Sequence, residues 1–339
     1  MANLVSILIP AFNVEKWIGM TIDSALNQTW SKKEIIIVDD GSKDKTLNVA
    51  RKFESKNVKV ISQNNQGASN ARNKALEYAQ GDFIQWLDAD DLLAPNKISE
   101  QMKFSESNSE SKILLTGPCG IFYWRIEKAK FYSNALWKDL KPAEWLIEKF
   151  GGLHWLIPAC WLVSRKLTEA AGPWDKRLTL DDDGEYFCRL VAASNIVKFV
   201  RNAQCYYRQS VNQLSRKCSA KALESLVLST KLCINYLISL EVSERSKKAG
   251  GQLLRHRLSK FYQGERDIIK ELNMIAKKLG MELQHPIFGW KTRLIREIFG
   301  RKKAISVLDI SQKIKVYLAA KWDEIGFSLS DAAVKADKK

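Results

Sequence analysis

Along the first 120 residues, short apolar runs alternate with segments whose apolar positions recur every three or four residues. Val5-Ser-Ile-Leu-Ile-Pro-Ala-Phe12 is rich in β-branched residues, the pattern of a strand covered on both faces. The runs starting at Glu34, Val58, Gly81 and Lys112 repeat it, closing near Gly41, Ser62, Asp88 and Thr116. Between them, helical spacing predicts helices over 14–28, 46–53, 69–78 and 95–104. The first carries Trp17, Ile18, Ile22, Ala25 and Leu26 on one side. Strands alternating with helices of this length predict an α/β fold, a mostly parallel sheet with helices on both faces.

Beyond residue 120 the pattern is less regular. The acidic stretch Asp181-Asp-Asp-Gly-Glu185 opens a helix ending near Ala193, and Ile196-Val-Lys-Phe-Val200 reads as a strand. After Cys218 the chain reads as helices only, with an apolar stripe at Leu223, Val227, Thr230, Ile234 and Leu237. Charge divides at the same place. Of the net +16, residues 218–339 hold 24 Lys and Arg against 13 Asp and Glu, a net of 24 − 13 = +11. That basicity fits a solvated face or an anionic surface; no nucleic-acid-binding module accompanies it, so no nucleic acid partner is expected. The six cysteines include no C-x-x-C pair, which argues against a zinc ribbon and fits a reducing compartment. No signal peptide and no run of about 20 apolar residues is seen. The longest candidate, Ile113 to Trp124, is broken by Gly117, Pro118 and Gly120. A cytoplasmic protein is expected.

Parallel sheets bind ligands outside the carboxyl ends of their strands. Asn13 follows the first strand, Asp39 and Asp40 the second, and Asp88, Asp90 and Asp91 the fourth. Any one of these reads as a helix cap; three at one sheet edge ask for a ligand. Clustered carboxylates suit Mg²⁺ or Mn²⁺, hard cations that keep waters and bind substrate phosphates.

Pro10-Ala-Phe-Asn13, Val38-Asp-Asp-Gly-Ser42, Asn65-Gln-Gly-Ala-Ser-Asn-Ala-Arg-Asn73 and Leu87-Asp-Ala-Asp-Asp91 together resemble the N-terminal half of family 2 glycosyltransferases. The resemblance implies a GT-A fold, a nucleotide-diphosphate-sugar donor, most often a UDP-sugar, a divalent metal (Mn²⁺ or Mg²⁺), and inversion at the anomeric carbon. The motifs cover about residues 4 to 120; with the change of pattern and charge at Cys218, a catalytic domain, 1–217, and a basic helical region, 218–339, are expected. Within the first, 1–120 would bind the nucleotide sugar and 121–217 the acceptor, a polysaccharide, oligosaccharide or lipid-linked glycan. Carried over by position, Pro10, Asn13 and Glu15 would line the nucleotide pocket. Asp39 would contact the base or ribose, Arg72 the base or diphosphate, and Asp88 the ribose or sugar. Asp90 would ligate the metal with Asp91 beside it. Asp183, in Asp182-Asp183-Gly184-Glu185-Tyr186, would be the general base. Asp182 stands where the family commonly has Glu, and Asp181 leaves a one-residue slip of register open. Tyr206-Tyr-Arg208 is similar to a stretch that closes over the diphosphate in relatives, making Arg208 a phosphate partner.

Trp155, Trp161 and Trp174 read as core residues. A sugar nucleotidyltransferase would need a glycine-rich loop that Val5 to Glu15 lacks, and an oxidoreductase a G-x-G-x-x-G that is missing. A basic nucleic-acid- or nucleotide-binding protein without transferase activity is the remaining alternative. Finally, residues 286–303 place Ile287, Lys291, Leu294, Ile295, Ile298 and Phe299 on one side of a helix, apolar apart from Lys291, and Arg293, Arg296, Arg301, Lys302 and Lys303 around them. Such a helix either docks on the cytoplasmic face of an anionic membrane or packs as an ordinary amphipathic helix on the catalytic domain.

Overall fold

The computed structural model describes residues 3–106, 112–210, 219–259, 266–283 and 314–327. The apolar runs become strands: β1 (Val5–Ala11), β2 (Lys33–Asp39), β3 (Val58–Ser62), β4 (Phe83–Trp86) and, after the two-residue β5 (Leu92–Leu93), β6 (Ile113–Thr116). Their inner residues, Ile7, Leu8, Ile9 and Ile35 to Val38, are at most 1% exposed, as a sheet covered on both sides requires. The helices between them are α1 (Ile18–Leu26), α2 (Thr46–Arg51), α3 (Ala68–Tyr78) and α4 (Lys97–Glu106).

The second half adds β7 (Cys119–Phe122), β8 (Lys130–Phe131), α5 (Pro142–Gly151), β9 (Leu162–Ser164), α6 (Arg165–Ala171), α7 (Asp182–Ala193), β10 (Ile196–Phe199) and β11 (Cys205–Arg208). The main sheet has the order β10-β6-β9-β4-β1-β2-β3. Only β9 runs against its neighbours, pairing antiparallel with β4 and β6. A smaller sheet, β5-β11-β7-β8, lies beside it. The connections through α1 and α2 step one way from β1, and those through α3 and α4 step back past it. Right-handed crossovers then set the two pairs of helices on opposite faces. The direction reverses between β1 and β4, so the binding crevice is expected outside the carboxyl ends of those two strands. Tight packing at the other end is visible at Gly81, where a Cβ would come within 2.5 Å of the Ser6 amide nitrogen.

Behind this sheet α7 is fixed by aromatic stacking. Trp174 lies on Tyr186 with ring centroids 4.0 Å apart, and Trp161 on Phe187 at 5.0 Å. Each such pair adds roughly 1 kcal/mol beyond the area it buries. Helices α8 (Ala220–Leu240), α9 (Glu244–Leu258) and α10 (Arg266–Lys278) continue the chain, and α8 and α9 pack on α5 and α7. The stripe Leu223, Val227, Thr230, Ile234, Leu237 is the buried face of α8. Contrary to the reading of the sequence, one described helix does reach membrane-spanning length and apolarity: α8, 21 residues with mean hydropathy 1.3. Counting uninterrupted apolar residues hides it because Ser225, Ser229 and Thr230 interrupt the run, and these three are themselves buried against the domain. A last helix, over residues 314–327, is held to the body by Asp323. Its carboxylate accepts from the Trp124 and Arg125 amides at 2.8 and 3.0 Å and pairs with the Arg125 guanidinium at 2.6 Å. The expected docking helix, 286–303, lies outside the described residues.

Candidate functional site

The edge between β1 and β2 is held open by its own hydrogen bonds. Asn13 has a left-handed backbone (φ 52°), its Oδ1 accepts from the Lys43 amide at 2.8 Å, and its amide donates to Ser42 Oγ at 2.9 Å. Pro10 pairs in register with Val38 at the strand ends. Glu15 Oε2 accepts from the Lys45 amide at 2.8 Å. Asp39 is 1% exposed; its Oδ2 takes the Ser42 amide at 3.2 Å while Oδ1 is buried with no hydrogen-bond partner. A buried carboxylate oxygen left this way is costly unless a ligand donor reaches it. Asp40 differs: its oxygens take Gln63 Nε2 and the Gln66 and Gly67 amides, so it builds the loop before α3.

Arg72, on α3, is the hub. Its Nη2 pairs with Asp88 Oδ1 at 2.8 Å and its Nη1 with Asp182 Oδ2 at 2.6 Å, over the Trp174 ring at 4.3 Å. Burial works against its charge, yet the Asp182 and Asp88 carboxylates outweigh burial and raise its pKa, so it is always a cation. One side chain thus ties the acids that follow β4 to the acids that open α7.

After β4, three aspartates take different partners. Asp91 is 1% exposed, and its Oδ1 accepts from the Arg208 amide at 2.9 Å. Burial pushes its pKa well up, with Asp90 and Asp88 adding to it. Burial and then the Asp88 charge push Asp90 up to about 6. Arg208 stands beside them, 1% exposed, stacked on Trp17 and Phe122 at 4.2 and 4.4 Å. Its Nε donates to the Asp90 carbonyl and its Nη1 to the Tyr123 carbonyl, both at 2.9 Å. The guanidinium expected to meet phosphate is thereby held by backbone, and the residues that follow, 211–218, lie outside the described chain.

At the start of α7 the three aspartates take different partners. Asp181, left-handed at φ 60°, is the N-cap residue and turns away from Arg72: its Oδ2 binds Arg257 and Ser229, each at 2.6 Å. Asp182 binds Arg72. Asp183 Oδ1 accepts from the Gly184 amide at 2.8 Å. Burial, then Asp182 and Asp181, push Asp183 up to about 7 against the pull of Arg72. Glu185 is structural, held by Arg189 Nε at 2.9 Å and Tyr236 Oη at 2.7 Å. Arg257, on α9, is a site-supporting residue that sequence reading missed. Nothing in its local pattern distinguishes it from other basic residues on a helix.

A cavity of about 260 Å³ is lined by Cys119, Tyr132, Asn134, Trp137, His154 and Trp155 among others. Trp161 and Trp174 are core residues, as the sequence suggests, but Trp155 is 50% exposed. It sits on a turn after α5 and rests only edgewise on Tyr207, at 5.4 Å. Burial, with the charges of Asp91, Asp90, Asp88 and Asp183 behind it, raises the Tyr207 phenol. Tyr207 thus touches the cavity-lining Trp155 and feels the charge of the acids.

Known proteins support what this geometry suggests. The model of glycosyl transferase family 2 matches residues 6–172. A Rickettsia typhi protein described as an uncharacterized glycosyltransferase is 32% identical over 199 residues, 57% of this chain and 60% of that protein. An Escherichia coli UDP-Glc:α-D-GlcNAc-diphosphoundecaprenol β-1,3-glucosyltransferase is 44% identical over 106 residues, 31% of this chain and 42% of that one. The matches thus span about half the length of these relatives. Among solved structures, S. aureus TarS 1–349 in complex with UDP superposes with a TM-score of 0.64 at 18% identity, covering 81% of this chain and 82% of that one. At that identity the likeness is one of fold, and it agrees with the expected GT-A architecture.

Proposed function

We propose, from the match of residues 6–172 to the model of glycosyl transferase family 2, that the chain moves a sugar from a nucleotide diphosphate to a hydroxyl of a polysaccharide, oligosaccharide or lipid-linked glycan, with inversion. The observation that carries the reading is the Arg72 bridge, which gathers the acids after β4 and the acids of α7 around one cation. Residues 1–217 would be the catalytic domain and 218–339 an added basic helical region. The E. coli relative named for UDP-Glc supports a UDP-sugar donor and a lipid-diphosphate-linked acceptor.

Pro10, Asn13, Glu15 and Asp39 would receive the nucleoside, the unpartnered Oδ1 of Asp39 accepting a donor from base or ribose. Arg72 and Asp88 would meet the ribose and diphosphate, with Arg208 behind the acids. Asp183 is the proposed base. With Oδ1 held by the Gly184 amide, its other oxygen takes the acceptor hydroxyl proton. The acceptor oxygen bonds to the anomeric carbon as the bond to the diphosphate breaks on the opposite face, and the nucleoside diphosphate leaves with that electron pair. A carboxylate pKa near 7 suits such a base at neutral pH.

A divalent cation fits this donor set. Asp90 is a half-buried carboxylate whose raised pKa marks a want of positive charge, whereas Asp91 is engaged by the Arg208 amide. No three carboxylates among the described residues converge within 4.8 Å, so donor phosphates and water would complete the shell around an ion on Asp90, as Mg²⁺ and Mn²⁺ prefer. When bound, the metal neutralises charge developing on the leaving diphosphate. The acceptor ring would lie on Trp155, which is half exposed and lines the cavity.

The basic C-terminal region would hold the enzyme at the cytoplasmic face of an anionic membrane. The helix over 314–327 supports this: Ile314, Tyr317, Leu318, Trp322 and Ile325 are 49–76% exposed at helical spacing. Sedimentation with anionic vesicles at low and high salt tests it, and a chain that stays in solution at low salt refutes it. For the reaction itself, the chain is incubated with Mn²⁺, a panel of nucleotide sugars and undecaprenyl-diphosphate-linked acceptors while released nucleotide is measured. Turnover on one donor is expected; binding of the nucleotide sugars without release on any acceptor would favour the non-enzymatic alternative.

A further inference from the structure

Three thiols far apart in sequence meet under the smaller sheet. Cys119 and Cys205 are register partners on the adjacent parallel strands β7 and β11, so both side chains leave the same face. Cys160 approaches from the short 3₁₀ turn, Pro158–Cys160, before β9. The three sulfurs all lie within 4.8 Å of one another, with Cys160 Sγ 3.5 Å from Cys205 Sγ. A tetrahedral or trigonal zinc with Zn–S bonds of about 2.3 Å puts its sulfurs about 3.8–4.0 Å apart. Small adjustments of χ1 bring the trio to that spacing.

A second observation concerns charge. Lys97, on α4, is 0% exposed, and its Nζ donates to Gln85 Oε1 and, at 3.1 Å, to the Trp161 carbonyl. Both acceptors are neutral, and no carboxylate lies within ion-pair distance of it among the described residues. Burial brings its pKa down to about 7, and Cys205 and Cys160 are the groups that pull it back up. Buried cations want a counter-charge, and the neighbouring groups able to supply one are the thiols.

We propose that Cys119, Cys160 and Cys205 form a binding site for a thiophilic divalent cation, zinc in particular, with Lys97 as its buried counter-ion. Binding replaces three S–H protons, released to solvent, by three Zn–S bonds. The resulting unit carries −1, and the Lys97 ammonium brings the buried sum to zero. Soft thiolates select zinc over the hard ions suited to Asp90. Cys119 is half-buried and lines the cavity beside His154, so the fourth position faces the cavity, where water or an imidazole can fill it. The site is independent of the transferase reading, and it ties β7, β11 and the turn before β9 together beneath Tyr207.

The full chain, kept reduced with a phosphine and freed of metal, is titrated with Zn²⁺ alone and with Cd²⁺ alone. One equivalent is expected to bind, Cd²⁺ giving an ultraviolet thiolate-to-metal charge-transfer band, and the unfolding midpoint should rise with Zn²⁺ concentration. Cys160→Ser and Cys205→Ser should each weaken Zn²⁺ at least about a hundredfold, with Cys119→Ser as the variant least at risk of misfolding because it is half-exposed. Lys97→Met should weaken it about tenfold, and Cys188→Ser, in α7, should leave it unchanged. Absence of stoichiometric binding by the folded wild type overturns the proposal. So does equal affinity in the folded Cys119→Ser chain, or binding that moves with Cys188. A wild type that ignores both ions but loses two hydrogens on exposure to oxidised glutathione would identify the trio as a disulfide-forming pair instead.

Discussion

The acidic turn after β4 and the acidic start of α7 each carry three aspartates within four residues, yet the two are wired differently. After β4, the innermost acid, Asp91, is fixed by a backbone amide, and burial, with like charges close by, makes both Asp91 and Asp90 titrate high. At α7, Asp181 is drawn off by a salt bridge. Burial opposes its charge, but Arg257 and Ser229 bring its pKa below the ordinary value, while Asp183, two residues on, stands near 7. Neighbouring residues of one type thus acquire opposite tendencies from their partners alone. The first cluster is suited to gather a cation, the second to present one uncompensated base. Arg72 belongs to both.

If that division is right, Asp90→Ala has the largest effect, abolishing metal-dependent nucleotide release from a chain with unchanged circular dichroism; near-normal turnover would remove Asp90 from the metal. Asp183→Asn should slow transfer at least about a hundredfold while nucleotide-diphosphate affinity holds. Arg72→Met should break the comparison outright, because it strips both clusters at once. We expect kcat/KM down on the order of a hundredfold with donor affinity falling too, unlike Asp183→Asn. In wild type, kcat/KM should rise with pH through a limb near 7 as Asp183 loses its proton, and metal saturation should take Asp90, at about 6, out of that limb. The smallest catalytic effect belongs to Arg257→Met. It removes the ion partner of Asp181, leaving Ser229, and should cost about 3 kcal/mol of stability. Because the Asp181 pKa is depressed by folding, its contribution is present above the unfolded pKa and fades as pH falls through the folded one. The variant should therefore differ most from wild type at neutral pH and converge with it in acid, as thermal melts at several pH values would record.

The strands that build the donor edge were legible because β1, β2, β3, β4 and β6 are apolar runs bounded by polar turns. β5 and β8 have two residues each and β9 three, too few for any period to register; their pairing comes from the sheet around them. The acids after β4 and at α7 could be picked out as clusters. Which of the Asp181–Asp183 trio faces Arg72 could not, since the answer rests on Arg257 and Ser229, 76 and 48 residues away from Asp181. Trp155 misled for a related reason: an indole in an apolar stretch usually packs inward, and only the turn after α5 turns this one out. Metal-ligand spacing likewise gave no hint of three cysteines joined by β7–β11 register.

The position of β9 has a consequence for how the chain is made. A ribosome releases β1 to β4 early, and these four can pair at once. One flank of β4, however, finds its partner only in residues 162–164, and until they emerge β6 has no place in the sheet. Through that interval the nascent protein shows an open, apolar strand edge, Phe83–Trp86, of the kind that invites pairing with other chains. Polypeptides ending before Ser164 should accordingly precipitate, whereas those reaching Phe199, at the end of β10, should stay dispersed. The transition from one behaviour to the other would mark where in synthesis this sheet closes.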